Sequence, residues 1–456
     1  MSDLTDYGKI ARKYIGRGRL FQVDDSNAEC DFEIAQYTNA DIILMCKFYE
    51  HVMKRPESGE LKFEGLTTEG KHVHLEGQAI NIQSESTLVN KISEMKRIFS
   101  FHGATRLQVG EYNLTQSLKI KFAVTNFIFI GTTVEESTQR LCLLPISVND
   151  KVILIRQLPN YKDIVDSLKL RGVDVTSELT LTIENSDELQ GILKSVDILC
   201  RLLTIARGTL INWIYFDIIL PSDEIIFSQH EPRITARYSS ALPLIDKMAS
   251  EETDLFLDLC FENYRIINEN YSLDQVLSAF VDARRADSFI VTRGLALVAI
   301  IEFLAGTFAR INGNATFMDE NFFNSKQKLL VERFKKLVNE TFPDLPKEKR
   351  ESLAAKWQGF NYPSFQTNLK NILKHFCVPF EKQELRNFVK TRNSLVHEAK
   401  FRSSDTQVYE FYSIMHLLDK LLLRMLGYEG YYINVTKFLA QSGRTRRYFD
   451  NLTPSC

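Results

Sequence analysis

No Walker A loop, GxGxxG turn, HExxH pair or GxSxG elbow occurs in this 456-residue chain. Phosphate-cradling loops, zinc proteases and nucleophile-elbow hydrolases need those residues at those spacings, so no metal or nucleotide cofactor is expected. Gly16-Arg17-Gly18-Arg19 is too short for a phosphate loop and no helix follows it. The seven cysteines are scattered and odd in number, with no CxxC. That usage fits a reducing compartment with buried or free thiols, hence a cytoplasmic protein. Charge of one sign is also missing: 56 Lys and Arg against 58 Asp and Glu leave a net charge of −2. Any nucleic-acid contact must then be a local patch. The first residues, MSDLTDYGKIARKY, hold no apolar signal core. The longest apolar run, Gly294–Ala309, is too short for a membrane span and contains Glu302, so it reads as a buried helix.

The chain that remains is long enough for two or three domains, and 44% apolar with 25% charged residues is ordinary for a soluble globular protein. Gly16–Gly110 reads mostly as strands. Leu61–Ile82 alternates and turns at Thr67-Thr68-Glu69-Gly70, a hairpin pattern. His72 and His74 share one face of that strand, which reads as an exposed face because no metal-ligand partner motif accompanies them. Further strands are expected at Leu118–Ile130, Arg140–Ser147, Val152–Leu158, Leu179–Ile183, Thr209–Leu220 and Glu224–Ser228, with helices at Tyr161–Leu170 and Asp187–Ala206. After about Ser240 helices dominate, including Ser288–Arg310, Asn324–Asn339, Phe365–Phe376, Glu381–Lys400 and Ser403–Leu426. Ser404-Asp405-Thr406-Gln407 has the spacing of a capping box. The fold class is therefore α+β: a β-rich N-terminal domain (1–240) followed by an all-α helical domain (241–456). A bundle core is expected from Ser288–Arg310, Asn324–Asn339, Glu381–Lys400 and Ser403–Leu426.

The helix Glu381–Lys400 carries the candidate chemistry. Leu385, Phe388, Val389, Leu395 and Val396 form an apolar stripe, and Arg392 falls within it. A cation in a core seam needs an anion to meet it. Asn393 and His397 are four apart and share a face. A permanent cation near an imidazole, the group best poised to exchange a proton near neutral pH, suits chemistry at a phosphodiester. The bland reading is a snorkelling arginine and a hydrogen-bonded histidine on an ordinary amphipathic helix. A second Arg-x4-His, Arg97 to His102, lies in strand-rich sequence with an apolar residue after the arginine, and reads as background.

Arg392-Asn393-Ser394-Leu395-Val396-His397, on a helix of an all-α region and followed by another long helix, resembles the HEPN motif (higher eukaryotes and prokaryotes nucleotide-binding). With a β-rich region in front, it is most similar to the Apea-like branch. The resemblance implies a metal-independent endoribonuclease whose site forms where two bundles pair, serving in anti-phage defence or toxin-like growth arrest. Arg392, Asn393 and His397 are then the catalytic candidates: His397 moves a proton, Arg392 steadies the phosphate and Asn393 orients His397 or a phosphate oxygen. Attack by the ribose 2′-OH needs no metal because that nucleophile is already tethered beside phosphorus. A single imidazole does not readily serve as both base and acid, so the implied partners are RNA and a second copy of the chain. Glu302 either orients Arg392 or reaches solvent at the bundle end. Arg386, Lys390, Lys400 and Arg402 either hold an RNA backbone or are simply solvated. Tyr409 and Tyr412 are candidates for base stacking or core. Arg444, Arg446 and Arg447 form a second RNA contact or a basic tail. The front domain is expected to sense a trigger of unknown nature. The alternatives are a non-catalytic HEPN module that binds RNA or nucleotide, and an adaptor that binds a ligand or protein.

Overall fold

The computed structural model describes residues 9–21, 27–48, 59–79, 82–88, 95–112, 117–131, 133–135, 141–148, 151–184, 188–235, 237–238, 242–246, 249–285, 287–440 and 449–452. The chain divides into two compact units. The first is Met1–Tyr264 with Arg284–Ala286 and Gly430–Ile433; the second is Arg265–Ala283, Asp287–Glu429 and Asn434–Cys456.

The first unit is built on one large antiparallel sheet. Its strands are β1 (Ile10–Phe21), β2 (Asn27–Tyr37), β3 (Ile42–Phe48), β4 (Gly59–Thr67), β5 (His72–Ala79), β6 (Ile82–Leu88), β7 (Met95–Phe101), β8 (Ala104–Gly110), β9 (Leu118–Thr125), β10 (Thr133–Glu135), β11 (Leu141–Val148), β12 (Lys151–Gln157), β13 (Val175–Ile183), β14 (Trp213–Ile219) and β15 (Ile225–His230). They lie in the order β10-β11-β12-β13-β9-β14-β15-β8-β5-β4-β1-β2-β3-β7-β6. Period-two alternation buries one face: Leu20, Phe32, Leu44, Phe63, Leu75 and Leu107 share a single core, while Lys62 and Glu64 point to solvent. The expected hairpin is β4 and β5, with Gly70 at φ +80 in the turn. His72 and His74 sit on its outer side beside carboxylates, His74 Nε2 lying 2.7 Å from Glu76. Gly16 and Gly18 belong to β1, where it pairs antiparallel with β4. A Cβ at Gly16 would lie 2.0 Å from the Leu66 carbonyl oxygen, so close strand approach, and not phosphate binding, accounts for this pair. Arg97 and His102 fall on β7 and the residue after it, in strand and not helix. Helix α1 is Tyr161–Arg171 and α2 is Glu188–Arg207; α2 holds Asp197, which accepts a hydrogen bond from buried Trp213 at 2.8 Å.

The chain passes between units within α3 (Ser250–Tyr271), and α4 (Leu273–Arg284) follows. The second unit continues with α5 (Ile290–Ile311), α6 (Glu320–Thr341), α7 (Lys347–Ala355), a 3-10 turn (Lys356–Asn361), α8 (Phe365–His375), α9 (Lys382–Glu398) and α10 (Gln407–Met425). By length and composition α5 could cross a membrane; here it is the centre of a bundle and packs on α8, α9 and α10. Its C-terminal Phe308 meets His375 and Phe376 at ring distances of 5.0 and 6.4 Å.

Four sequence expectations are corrected. The fourth bundle member is α8, not α6. The long amphipathic α6 packs on α7 and the 3-10 turn and leaves Phe322, Leu329 and Leu337 at least half exposed. An apolar stripe says that a helix wants cover, not what supplies it. Second, Ser404 does not cap α10, which starts at Gln407 with no side-chain cap; the capping box forms instead at Glu381 and Glu384 of α9. Third, Cys377 is disulfide-bonded, whereas Cys30, Cys46, Cys142, Cys200 and Cys260 are free. Fourth, Val396 is not core: it is 43% exposed, and α9 buries Leu385, Phe388, Thr391 and Leu395.

Candidate functional site

Helix α9 is fixed at both ends. Its capping box satisfies two N-terminal donors, and Ala399 closes it in the left-handed region at φ 50. Its buried face rests on α5, α8 and α10. At the C-terminal end the approach to α5 is close. A Cβ on Gly294 of α5 would come within 2.8 Å of the Phe401 ring and 3.4 Å of Leu395.

Arg392 leaves α9 toward α5 and is held on three sides. Its Nε donates to Glu302 Oε1 of α5. Its Nη1 donates to Asn393 Oδ1 at 3.0 Å. Its guanidinium lies 5.3 Å from the ring centre of Phe365, in the first turn of α8, which itself leans on Phe388. The side chains of Arg392 and Glu302 keep only 21% and 33% exposure, so the pair is partly shielded. Asn393 uses its amide oxygen on Arg392 and makes no bond to His397 among the described residues.

His397 points outward. It is exposed and makes no hydrogen bond or ion pair among the described residues. At about 100° per residue, Arg386, Lys390, Asn393 and His397 fall on one face of α9. All four are exposed, and neither Arg386 nor Lys390 has a partner among the described residues. This stripe ends in the imidazole and runs about 16 Å at the helical rise per residue. Arg392 sits roughly 140° around the helix from His397, so it meets the stripe through Asn393 and not directly.

The other two cations behave differently. Lys400 pairs with Glu398 at 2.9 Å on the surface. Arg402 is drawn into the turn between α9 and α10: buried Glu410 accepts its Nε at 2.8 Å, its backbone N–H at 3.2 Å and the Thr406 hydroxyl at 3.1 Å. That engagement ties Arg402 to the start of α10, with 36% of its side chain still exposed. Tyr409 is 65% exposed on the first turn of α10, and Tyr412 is half-buried against Phe411. Arg444, Arg446 and Arg447 lie outside the described residues. Sequence reasoning missed Phe365 and Glu410. A lone aromatic after Pro363-Ser364 gave no signal, whereas Thr406 and Glu410 at helical spacing ahead of an apolar run offered one. No group of His, Cys, Asp and Glu among the described residues could hold a metal ion.

The bundle of α5, α8, α9 and α10 thus carries an anchored arginine at its seam and a polar cationic stripe ending in histidine. Residues 295–428, which span these four helices apart from the first turn of α5, match the Apea-like HEPN family, and the chain carries an Apea-like HEPN domain there. No curated protein and no solved structure matches the chain.

Proposed function

We propose that the chain is a metal-independent endoribonuclease of the HEPN type, working on RNA from a site completed by a second copy of the bundle. One observation carries the reading. Arg392 is held by Glu302, Asn393 and Phe365 while His397, on the same helix, presents an unpartnered imidazole beside two free cations. An imidazole kept for core stability would be buried and bonded. A structural arginine gives no reason for the surface stripe. Arg386 and Lys390 would hold the RNA backbone, leaving the ribose 2′-OH and its phosphate near His397. His397 would take the 2′-OH proton, or give one to the departing 5′-oxygen. The 2′-oxygen then forms a bond to phosphorus as the bond to the 5′-oxygen breaks, giving a 2′,3′-cyclic phosphate. Arg392 would stabilise charge on the phosphate oxygens. The two proton transfers call for two imidazoles, which a symmetric pair supplies. Exposed Val396 on α9 and Val408 and Tyr409 on α10, at the end of the bundle where these helices meet, support such a pairing. A role in phage defence or growth arrest belongs to the same reading.

The test is cleavage of RNA in EDTA by wild type, His397→Ala and Arg392→Ala. Cleavage by wild type alone, with losses on the order of a hundredfold or more, is expected for removal of an acid–base group. Equal RNA binding without cleavage by all three would replace the nuclease with a non-catalytic binding module. No RNA contact by any of them would leave an adaptor.

A further inference from the structure

The first unit holds a cleft of about 180 Å³ that the nuclease reading does not use. It is lined by the start of β1, by Thr38 and by residues of β9, β13 and β14, with Leu158 and Ile164 among its apolar members. Three cations line it: Lys9, Arg12 and Lys121. Three carboxylates line it as well, and each is already engaged. Asp217 accepts from Arg12 Nη2 and from the Ser228 hydroxyl, both at 2.6 Å. Glu178 accepts from Arg156 at 2.9 Å, a closer partner than Lys121 at 3.5 Å. Asp174 accepts the Val175 backbone N–H at 2.9 Å. The cations are less satisfied. Arg12 keeps 34% of its side chain exposed beyond its pair with Asp217, and the Lys9 ammonium has no partner among the described residues. Arg12 is also braced, its guanidinium lying 4.9 Å from the Tyr215 ring centre, so its orientation is set before anything binds. Polar and apolar groups share the lining of a hollow several times the ~30 Å³ volume of one water, a size that suits a small ligand and not a polymer.

We propose that this cleft binds a small organic oxyanion, its phosphate or carboxylate head on Arg12, Lys9 and Lys121 and its body against Leu158 and Ile164. The inference stands independently of the nuclease reading, and it gives the front unit a ligand class of its own.

The experiment is calorimetric titration and thermal denaturation of the full chain with inorganic phosphate, adenosine monophosphate and benzoate. The three probes separate phosphate from carboxylate and head from body. Saturable binding of at least one probe is expected, with a raised thermal midpoint. Arg12→Met combined with Asp217→Asn removes both charges, so no carboxylate is left buried and unpaired. That pair should weaken binding by about tenfold or more. Lys9→Gln touches no folded partner and should weaken it by about threefold. It decides the matter if the double variant does not fold. Absence of binding by all three probes, or binding unchanged in the variants that fold, overturns the proposal.

Discussion

Replacing Glu302 by Gln tests whether the Arg392 anchor is energetic or incidental. The glutamine keeps the shape and an acceptor oxygen but removes the charge. A hydrogen bond to a charged group contributes about 1.5–3 kcal/mol and a neutral one about 1. An exposed ion pair contributes only about 0.2–1 kcal/mol. With 21% and 33% of the two side chains exposed, the pair lies between these limits. A double-mutant cycle of Glu302→Gln, Arg392→Met and both together should therefore return a coupling of about 1–2 kcal/mol. Urea unfolding followed by circular dichroism supplies the four stabilities. RNA binding should persist in Glu302→Gln, because the outer stripe of α9 is untouched, while cleavage falls by about tenfold as Arg392 loses its orientation. A coupling below about 0.3 kcal/mol would mean the two side chains ignore each other, and the positioning argument would fall with it.

Three other outcomes are open to measurement. A Cβ at Gly306 of α5 meets nothing within 4 Å, so Gly306→Ala should stabilise by about 0.5–1 kcal/mol; Gly294→Ala, driven against Phe401, should destabilise by about 1 kcal/mol in thermal or urea unfolding. Arg386→Gln and Lys390→Gln should each lower RNA affinity across sequences and reduce the slope of log affinity against log salt by about one, read by filter binding or anisotropy. His230 and His416 are held neutral, chiefly by burial and secondarily by the nearby cations Arg12 and Lys420, with values pushed down to about 3. Below about pH 6.5 the unfolded chain takes up protons that these imidazoles refuse, so stability falls as pH drops toward 3. Each costs roughly 2 kcal/mol between about pH 6.5 and 5, and His416→Gln should flatten the thermal midpoint's dependence on pH over that range.

Much of this architecture is legible in the residues. Alternation in Leu61–Ile82 and the 3.6-residue repeat in Glu381–Lys400 both report local geometry, and the helix observed, Lys382–Glu398, differs from the expected one only at its ends. What sequence does not carry is the identity of the partner across a gap. The apolar stripes of α6 and α8 look alike in sequence, and only tertiary packing sends α8 to α5. Arg402 resembles any flanking cation until Glu410 is seen to hold it. The cleft cations and carboxylates come from β1, β9, β13, β14 and the residues just before β1 and β13, from Lys9 to Asp217, so no local pattern could announce them. Glu302 is legible as a candidate because a carboxylate in an apolar helix is costly, and that cost does not depend on the partner's place in the sequence.

Asn361 makes the connection between α5 and α8 modular. Buried at 2% exposure, it accepts the Met318 N–H at 2.9 Å and donates to the Met318 carbonyl at 3.0 Å, while its own carbonyl accepts the Phe317 N–H at 2.8 Å. These three bonds pinch the segment shut at its root, like the neck of a purse. Whatever lies beyond the pinch, α6 and α7 included, can be lengthened, shortened or redecorated without moving the four helices that hold Arg392 and His397. Evolution could therefore retune what this appendage touches while leaving the chemistry beneath it alone.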